Sequence, residues 1–337
     1  MNYRGVVYDV GLHFTADGPS VEPFDPKLVA HDLKVIASDL HANAVGIEGE
    51  SIQRLADAAR IAHSLGLAVR TYLAEAAQAA EDLREEGLDI VFVSQCEYTI
   101  FNEGVFPGRN LNLMERVKWL SEQMKETSDG LSISDSLREA CSKLNGILRS
   151  FLEVIRPVFH GRVTYSAGIW EVVDWTPFDI VGVDHYRQGE SESNYLKGLE
   201  RHRCEKPLAV MEFGCCAYEG AAPLGAGGFM PLQGTNPDDT GNFAGGIVPK
   251  YSETEQADYV EAVIRLLAGA KVDAMFVYVF SFPTYRAGEG TRNLDMMSFS
   301  LVKTWPETDE RSKEMPPWAP KEAFGRVATA YKQLGNS

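Results

Sequence analysis

Short β-branched runs recur along the chain and alternate with stretches whose apolar positions fall three or four residues apart. Eight runs predict strands: GVVYDV (5–10), AVGIE (44–48), LAVRTY (67–72), DIVFVS (89–94), RVTYSA (162–167), FDIVGVD (178–184), PLAVME (207–212) and DAMFVYVF (273–280). Helical spacing covers 26–40, 51–65, 75–86, 137–155, 194–202, 253–270 and 321–334. Asp25 stands before Pro26, and Ser252 before Glu253 and Glu255. Such residues place an oxygen cap and early acids where the free amides and dipole of a helix start need them. Eight alternating βα units predict an α/β fold, a (β/α)8 TIM barrel built as a single domain over 1–337.

Three connections are long, 95–136, 213–251 and 281–320, and they follow strands four, seven and eight. In a barrel of this kind the βα loops gather on the carboxyl-end face, where active sites lie, so these insertions predict a deep or lidded pocket, with a disordered surface excursion as the equal alternative for the Gly- and Pro-rich 213–251. They also account for a length of 337 residues, beyond the ~250 of a bare barrel.

A net charge of -16 opposes binding to a polyanion, which argues against a nucleic-acid partner. The opening MNYRGVVYDVG enters the first strand without a basic segment, a long apolar stretch or a small-residue cleavage site. No later run reaches the ~18 apolar residues of a membrane span. The expectation is a soluble, cytoplasmic protein with a small-molecule substrate and no membrane partner. Cys96, Cys141, Cys204, Cys215 and Cys216 are odd in number and lack paired zinc spacing, so reduced thiols are expected.

Polar residues at the carboxyl ends of barrel strands point into the mouth. The candidates are Asp9 and His13 after strand one, Glu48 and Glu50 after strand two, Arg70 on strand three, and Cys96 and Glu97 after strand four. Strand six adds Asp184, His185, Tyr186 and Arg187, and strand seven ends in Glu212. Two carboxylates can perform acid and base work on an acetal if one stays protonated and the other ionised. A separation of about 5 to 5.5 Å would allow a covalent glycosyl intermediate and retention of configuration. Trp170, Trp175, Tyr218, Tyr278 and Tyr285 offer apolar faces on which a sugar could stack. Such chemistry requires no cofactor and no metal.

KPLAVMEFG (206–214) resembles the strand-seven signature of the glycoside hydrolase clan whose barrels carry catalytic glutamates on strands four and seven. FDIVGVDHY (178–186) resembles its strand six, HANAVGIEG (41–49) its strand two and VFVSQCE (91–97) its strand four. The resemblance implies Glu212 as nucleophile, Tyr186 as its hydrogen-bond donor and Glu97 as acid/base. Asn102 and Glu103 form an Asn-Glu pair, which leaves Glu103 as the alternative acid/base. Three positions depart from the clan. Cys96 stands where an Asn binds the sugar 2-hydroxyl, Gly46 where an Arg is common, and Val279 near the place of a Trp that floors the sugar site.

The reading is a glycoside hydrolase-like enzyme acting on a small soluble glycoside or sugar-like metabolite. Three alternatives compete with it. One is a biosynthetic enzyme using the same carboxylates for non-hydrolytic acid/base chemistry. Another is a metal-dependent sugar isomerase or hydrolase, with Asp9, His13, Glu48, Glu97, His185 and Glu212 as ligands. The third is a binding barrel without catalysis.

Overall fold

All eight predicted runs form strands: β1 (Tyr3–Asp9), β2 (Ala44–Glu48), β3 (Ala68–Tyr72), β4 (Ile90–Cys96), β5 (Arg162–Gly168), β6 (Val181–Asp184), β7 (Leu208–Phe213) and β8 (Ala274–Val277). The computed structural model describes residues 1–12, 18–72, 75–102, 104–106, 113–127, 130–236 and 238–336. The strands are ordered as a closed barrel, β1-β8-β7-β6-β5-β4-β3-β2, so the fold is the α/β barrel expected from the sequence. β4 runs two residues past its predicted end, with a register shift against β5 between Val93 and Cys96. β6 starts later than predicted because Phe178 N–H turns back to Trp175 O, 3.1 Å away, just after Pro177.

Seven helices follow the predicted spacing: Pro26–Ser38, Ile52–Ser64, Glu75–Glu85, Asp135–Ile155, Glu192–Glu200, Glu253–Gly269 and Glu322–Gly335. The expected caps form: Asp25 accepts from Lys27 N–H and Ser252 from Glu255 N–H. No helix separates β5 from β6; the connection is the irregular segment 169–180. The three long connections carry structure of their own. The first holds the helices Tyr98–Phe101 and Leu113–Gln123 and the strand pair Met124–Thr127 with Gly130–Ile133. The second holds the strand pair Leu232–Thr235 with Gly241–Phe243, and the third the pair Val302–Thr304 with Trp318–Pro320. Among the described residues no helix is long and apolar enough to cross a membrane.

The chain divides into two units, one made of Met1–Arg70, Tyr186–Glu190 and Glu212–Ser337, the other of Thr71–His185 and Ser191–Met211. In the first, β1 pairs in parallel with β2 and β8, and Val6, Val45, Ile47 and Phe276 are buried. Gly5 is required where β1 meets its neighbours, since a Cβ there would lie 2.6 Å from the Phe276 ring and 2.7 Å from Ala44 O. Tyr331 on the last helix donates to Gly5 O at 2.6 Å, fastening that helix to the first strand. Lys321 and Asp295 form an ion pair at 3.0 Å with almost no exposure of either side chain, and Tyr251 donates to the same Asp295.

In the second unit, β4 pairs in parallel with β5 and β5 with β6. Phe92 and Phe159 meet at 5.5 Å between ring centroids. Ile100, Val105, Phe106, Leu120, Leu137, Ala140 and Cys141 form a buried cluster over which Tyr98 and Trp170 pack. The segment that follows β4 is therefore anchored against the helix Asp135–Ile155 by apolar contact.

Candidate active site

In the first unit, Asp9 and Glu48 end neighbouring strands and are directly paired in register. Both are buried, and among the described residues Asp9 Oδ2 and Glu48 Oε1 have no hydrogen-bond partner within normal geometry. Gly11 N–H donates to the other Asp9 oxygen at 2.7 Å. Burial raises the Asp9 carboxyl from 3.8 to about 6, against the opposing effects of the Ser20 hydroxyl and the Gly11 amide. Burial, then the charges of Asp9 and Glu212, push Glu48 well above the ordinary carboxylate range. Like charges thus crowd one end of this unit, and the proton is retained more tightly there than in water.

Glu212 lies near the end of β7, and Tyr186 donates its phenolic hydrogen to Glu212 Oε2 at 3.0 Å. The backbone behind Tyr186 is held by Tyr259, whose hydroxyl accepts from Arg187 N–H at 2.7 Å and donates to Arg187 O at 2.9 Å. Tyr278 N–H donates to Phe213 O, and a Cβ at Gly214 would lie 2.4 Å from Tyr278 O, so glycine lets these two strand ends close up. The rings of Tyr186 and Tyr278 both meet Phe299 edge-on, at 6.0 and 6.1 Å. Val279 is fully buried, and the partly exposed aromatic residue at the end of β8 is Tyr278.

In the second unit, Ser166 donates to Asp184 Oδ1 at 2.6 Å and the Cys96 thiol to Asp184 Oδ2 at 3.6 Å. Glu97 follows at once, with a left-handed backbone (φ 39°, ψ 45°) and its N–H on Ser166 O at 2.8 Å. A left-handed non-glycine residue is uncommon, and here it turns the chain sharply out of β4 into the helix Tyr98–Phe101.

His185 does not share the direction of its neighbours. Its Nε2 faces Tyr195 O at 3.0 Å, its ring lies 4.4 Å from that of Tyr195, and Tyr195 donates back to His185 O. Burial lowers its pKa to about 4, so the ring is neutral. His185, expected on the substrate side, thus has its observed partner in Tyr195 of the helix Glu192–Glu200, as its opposite parity to Asp184 along the chain allows. His13, Glu103 and the Arg70 side chain lie outside the described residues. Asn102 donates from its side chain to Tyr98 O, closing the short helix after Glu97.

Of the aromatic candidates, Trp170 donates to Thr99 Oγ1, Tyr218 donates to Gly228 O, and Trp175 and Tyr285 pack edge-on against Phe178 and Phe282. Residues that the sequence did not single out also shape these clusters: Ser166 on Asp184, Phe299 beside both tyrosines, and Tyr165 and Glu171 behind Glu97. Among the described residues the five cysteines form no disulfide, and burial pushes the Cys215 and Cys216 thiols up, which makes them poor nucleophiles.

No protein-family model matches the sequence, and no curated protein matches it. Solved structures do match the fold. A GH113 beta-1,4-mannanase superposes with a TM-score of 0.58 at 13% identity, over 98% of this chain and 99% of that one. The GH5_18 protein from Streptomyces cattleya, in complex with GlcNAc, gives 0.59 at 13% identity, over 100% and 81%. A hyperthermophilic beta-glucosidase from Pyrococcus furiosus gives 0.52 at 10% identity, over 98% and 95%. The chain shares the (β/α)8 barrel fold of these solved structures.

Proposed function

We propose that this chain is a glycoside hydrolase-like enzyme that cleaves the O-glycosyl bond of a small soluble glycoside with retention of configuration. Glu212 is the nucleophile and Glu97 the acid/base. The observation that carries this reading is the hydrogen bond from Tyr186 to Glu212. A carboxylate that must attack through one oxygen gains from a donor that orients the group and spreads its charge until the attack begins. In the first step Glu212 bonds to the anomeric carbon as the aglycone oxygen leaves and takes a proton from Glu97. In the second, Glu97 removes a proton from water, which attacks the same carbon and releases Glu212.

Asp9, Glu48, Asp184, Tyr186 and Tyr278 are the proposed substrate-side residues, the acids for sugar hydroxyls and the tyrosines for the apolar sugar face. Cys96 gives specific support to a second reading. Its thiol is directed to Asp184, so no amide stands in that position for a sugar 2-hydroxyl, which suits a biosynthetic proton transfer by the same carboxylates. Five thiols without a disulfide fit a cytoplasmic setting.

Mass spectrometry after incubation with an activated 2-deoxy-2-fluoro glycoside tests the hydrolase reading. The expected result is one glycosyl unit attached to Glu212. Release of the aglycone with no adduct under any condition, or an adduct on another carboxylate, would contradict the assigned nucleophile.

A further inference from the structure

The segment 169–180 stands where a helix would normally follow β5, and it brings a fully buried carboxylate, Glu171, up to the chain just beyond Glu97. Glu171 Oε1 accepts from Thr99 N–H at 3.1 Å and from the Thr99 hydroxyl at 2.6 Å. Its Oε2 accepts from the Tyr165 hydroxyl at 2.8 Å and from Gly168 N–H at 3.1 Å. Tyr165 in turn accepts from Tyr98 N–H at 2.7 Å, and Trp170 donates to Thr99 Oγ1 at 2.9 Å. The two amides immediately after Glu97 are thus both taken up by one hydrogen-bonded network, and each carboxylate oxygen in it accepts twice.

This arrangement addresses a specific difficulty. Glu97 occupies a left-handed conformation, and residues 98–101 form a single helical turn, too short to hold itself in place. The first amides of such a turn have no partner within it. Tyr165 and Glu171 supply those partners from β5 and the loop behind it. Burial raises the Glu171 carboxyl, while the four donors favour its ionised form. A buried carboxyl with that many donors is costly to place and is satisfied only in one arrangement, which makes it an effective clamp.

We infer that Glu171, acting with Tyr165, is the positioning residue that sets the direction of the Glu97 side chain. The inference rests on the reading of Glu97 as acid/base. Neither residue is assigned contact with substrate. Misplacing a proton donor by about 1 Å can cost on the order of a hundredfold in rate, so the clamp acts on the proton-transfer step while substrate binding is unaffected.

The test compares wild type with Glu171→Ala, Glu171→Gln and Tyr165→Phe, using two readouts. The first is amide hydrogen exchange, which needs no activity. In Glu171→Ala the Tyr98 and Thr99 amides are expected to exchange about tenfold faster or more, with the helix Asp135–Ile155 unchanged. The second is leaving-group dependence. In the same variant kcat/KM on an alkyl glycoside is expected to fall by about 10- to 100-fold, while kcat/KM on a dinitrophenyl glycoside stays within about threefold. Azide should restore kcat on the latter substrate. Glu171→Gln keeps one carbonyl oxygen for Thr99 and is expected to recover most of both effects.

Unchanged exchange at 98–99, acceleration that extends through the helix Asp135–Ile155, or equal loss on both glycosides would each overturn the positioning role. If Glu171→Ala does not fold, Tyr165→Phe carries the same two readouts, because it removes only the acceptor of the Tyr98 amide and one donor to Glu171. Failure of wild type to process any activated glycoside would refute the hydrolase reading. The exchange result would still decide whether Glu171 fixes the segment after Glu97.

Discussion

The phenolic hydroxyl of Tyr186 donates to Glu212 Oε2 at 3.0 Å, on a backbone that Tyr259 holds through both the N–H and the carbonyl of Arg187. Removing that donor should leave the fold intact and the carboxylate less well oriented. Tyr186→Phe is expected to lower kcat by about 10- to 100-fold, the equivalent of one hydrogen bond to a charged group. Steady-state kinetics on an activated aryl glycoside checks this. A kcat equal to wild type would show that the bond has no part in turnover.

Asp9 yields a prediction about stability and pH. Its carboxyl is raised from 3.8 to about 6 in the fold, chiefly by burial. Below about pH 3 the group is protonated in both folded and unfolded chains and burial carries no penalty. As pH rises toward 6 the unfolded chain loses the proton first, so folding stability falls, and the penalty is complete above the folded value. Asp9→Asn keeps an oxygen for Gly11 N–H and removes the charge. Relative to wild type it should therefore gain stability between about pH 3 and pH 7.5, by on the order of 1 to 3 kcal/mol. Thermal melts at the two pH values decide; a variant less stable at pH 7.5 would show that an unseen partner compensates the charge.

The Lys321–Asp295 pair gives a contrasting case, since both charges are buried and already matched at 3.0 Å. Lys321→Met leaves Asp295 charged without its cation and should cost about 3 to 5 kcal/mol. Adding Asp295→Asn removes the stranded charge while keeping an acceptor for Tyr251, and should recover a substantial part of the loss. Denaturant midpoints of the two variants provide the comparison, and a single variant as stable as wild type would be incompatible with the pair's burial.

Most of the barrel was legible because strand and helix periods alternate cleanly from GVVYDV to DAMFVYVF. The candidate carboxylates were legible because they end strands. His185 has the opposite parity to Asp184 and Tyr186, and its contacts are with Tyr195 of the helix Glu192–Glu200. Glu171 had no such signal. It lies in a segment without period, and its donors come from Thr99, 72 positions earlier, and from Tyr165 and Gly168 close by. The left-handed turn at Glu97 was equally hidden, because nothing in QCEYTIF marks a position of positive φ. Phe299 comes from the long connection after β8, where composition gives no indication of which ring turns toward Tyr186 and Tyr278.

The paired-carboxylate mechanism is tested most directly by comparing Glu97→Gln with Glu212→Gln on a dinitrophenyl glycoside, with and without azide. Loss of the nucleophile should abolish turnover under every condition, since an amide can neither attack the anomeric carbon nor support its positive charge. Loss of the acid/base should preserve the first step, because dinitrophenolate leaves without a proton, and then stall for want of a base. Azide, which needs no deprotonation, should restart Glu97→Gln and release a glycosyl azide of retained configuration. Turnover that survives in Glu212→Gln, or an equal loss in both variants that azide does not relieve, would contradict the assignment.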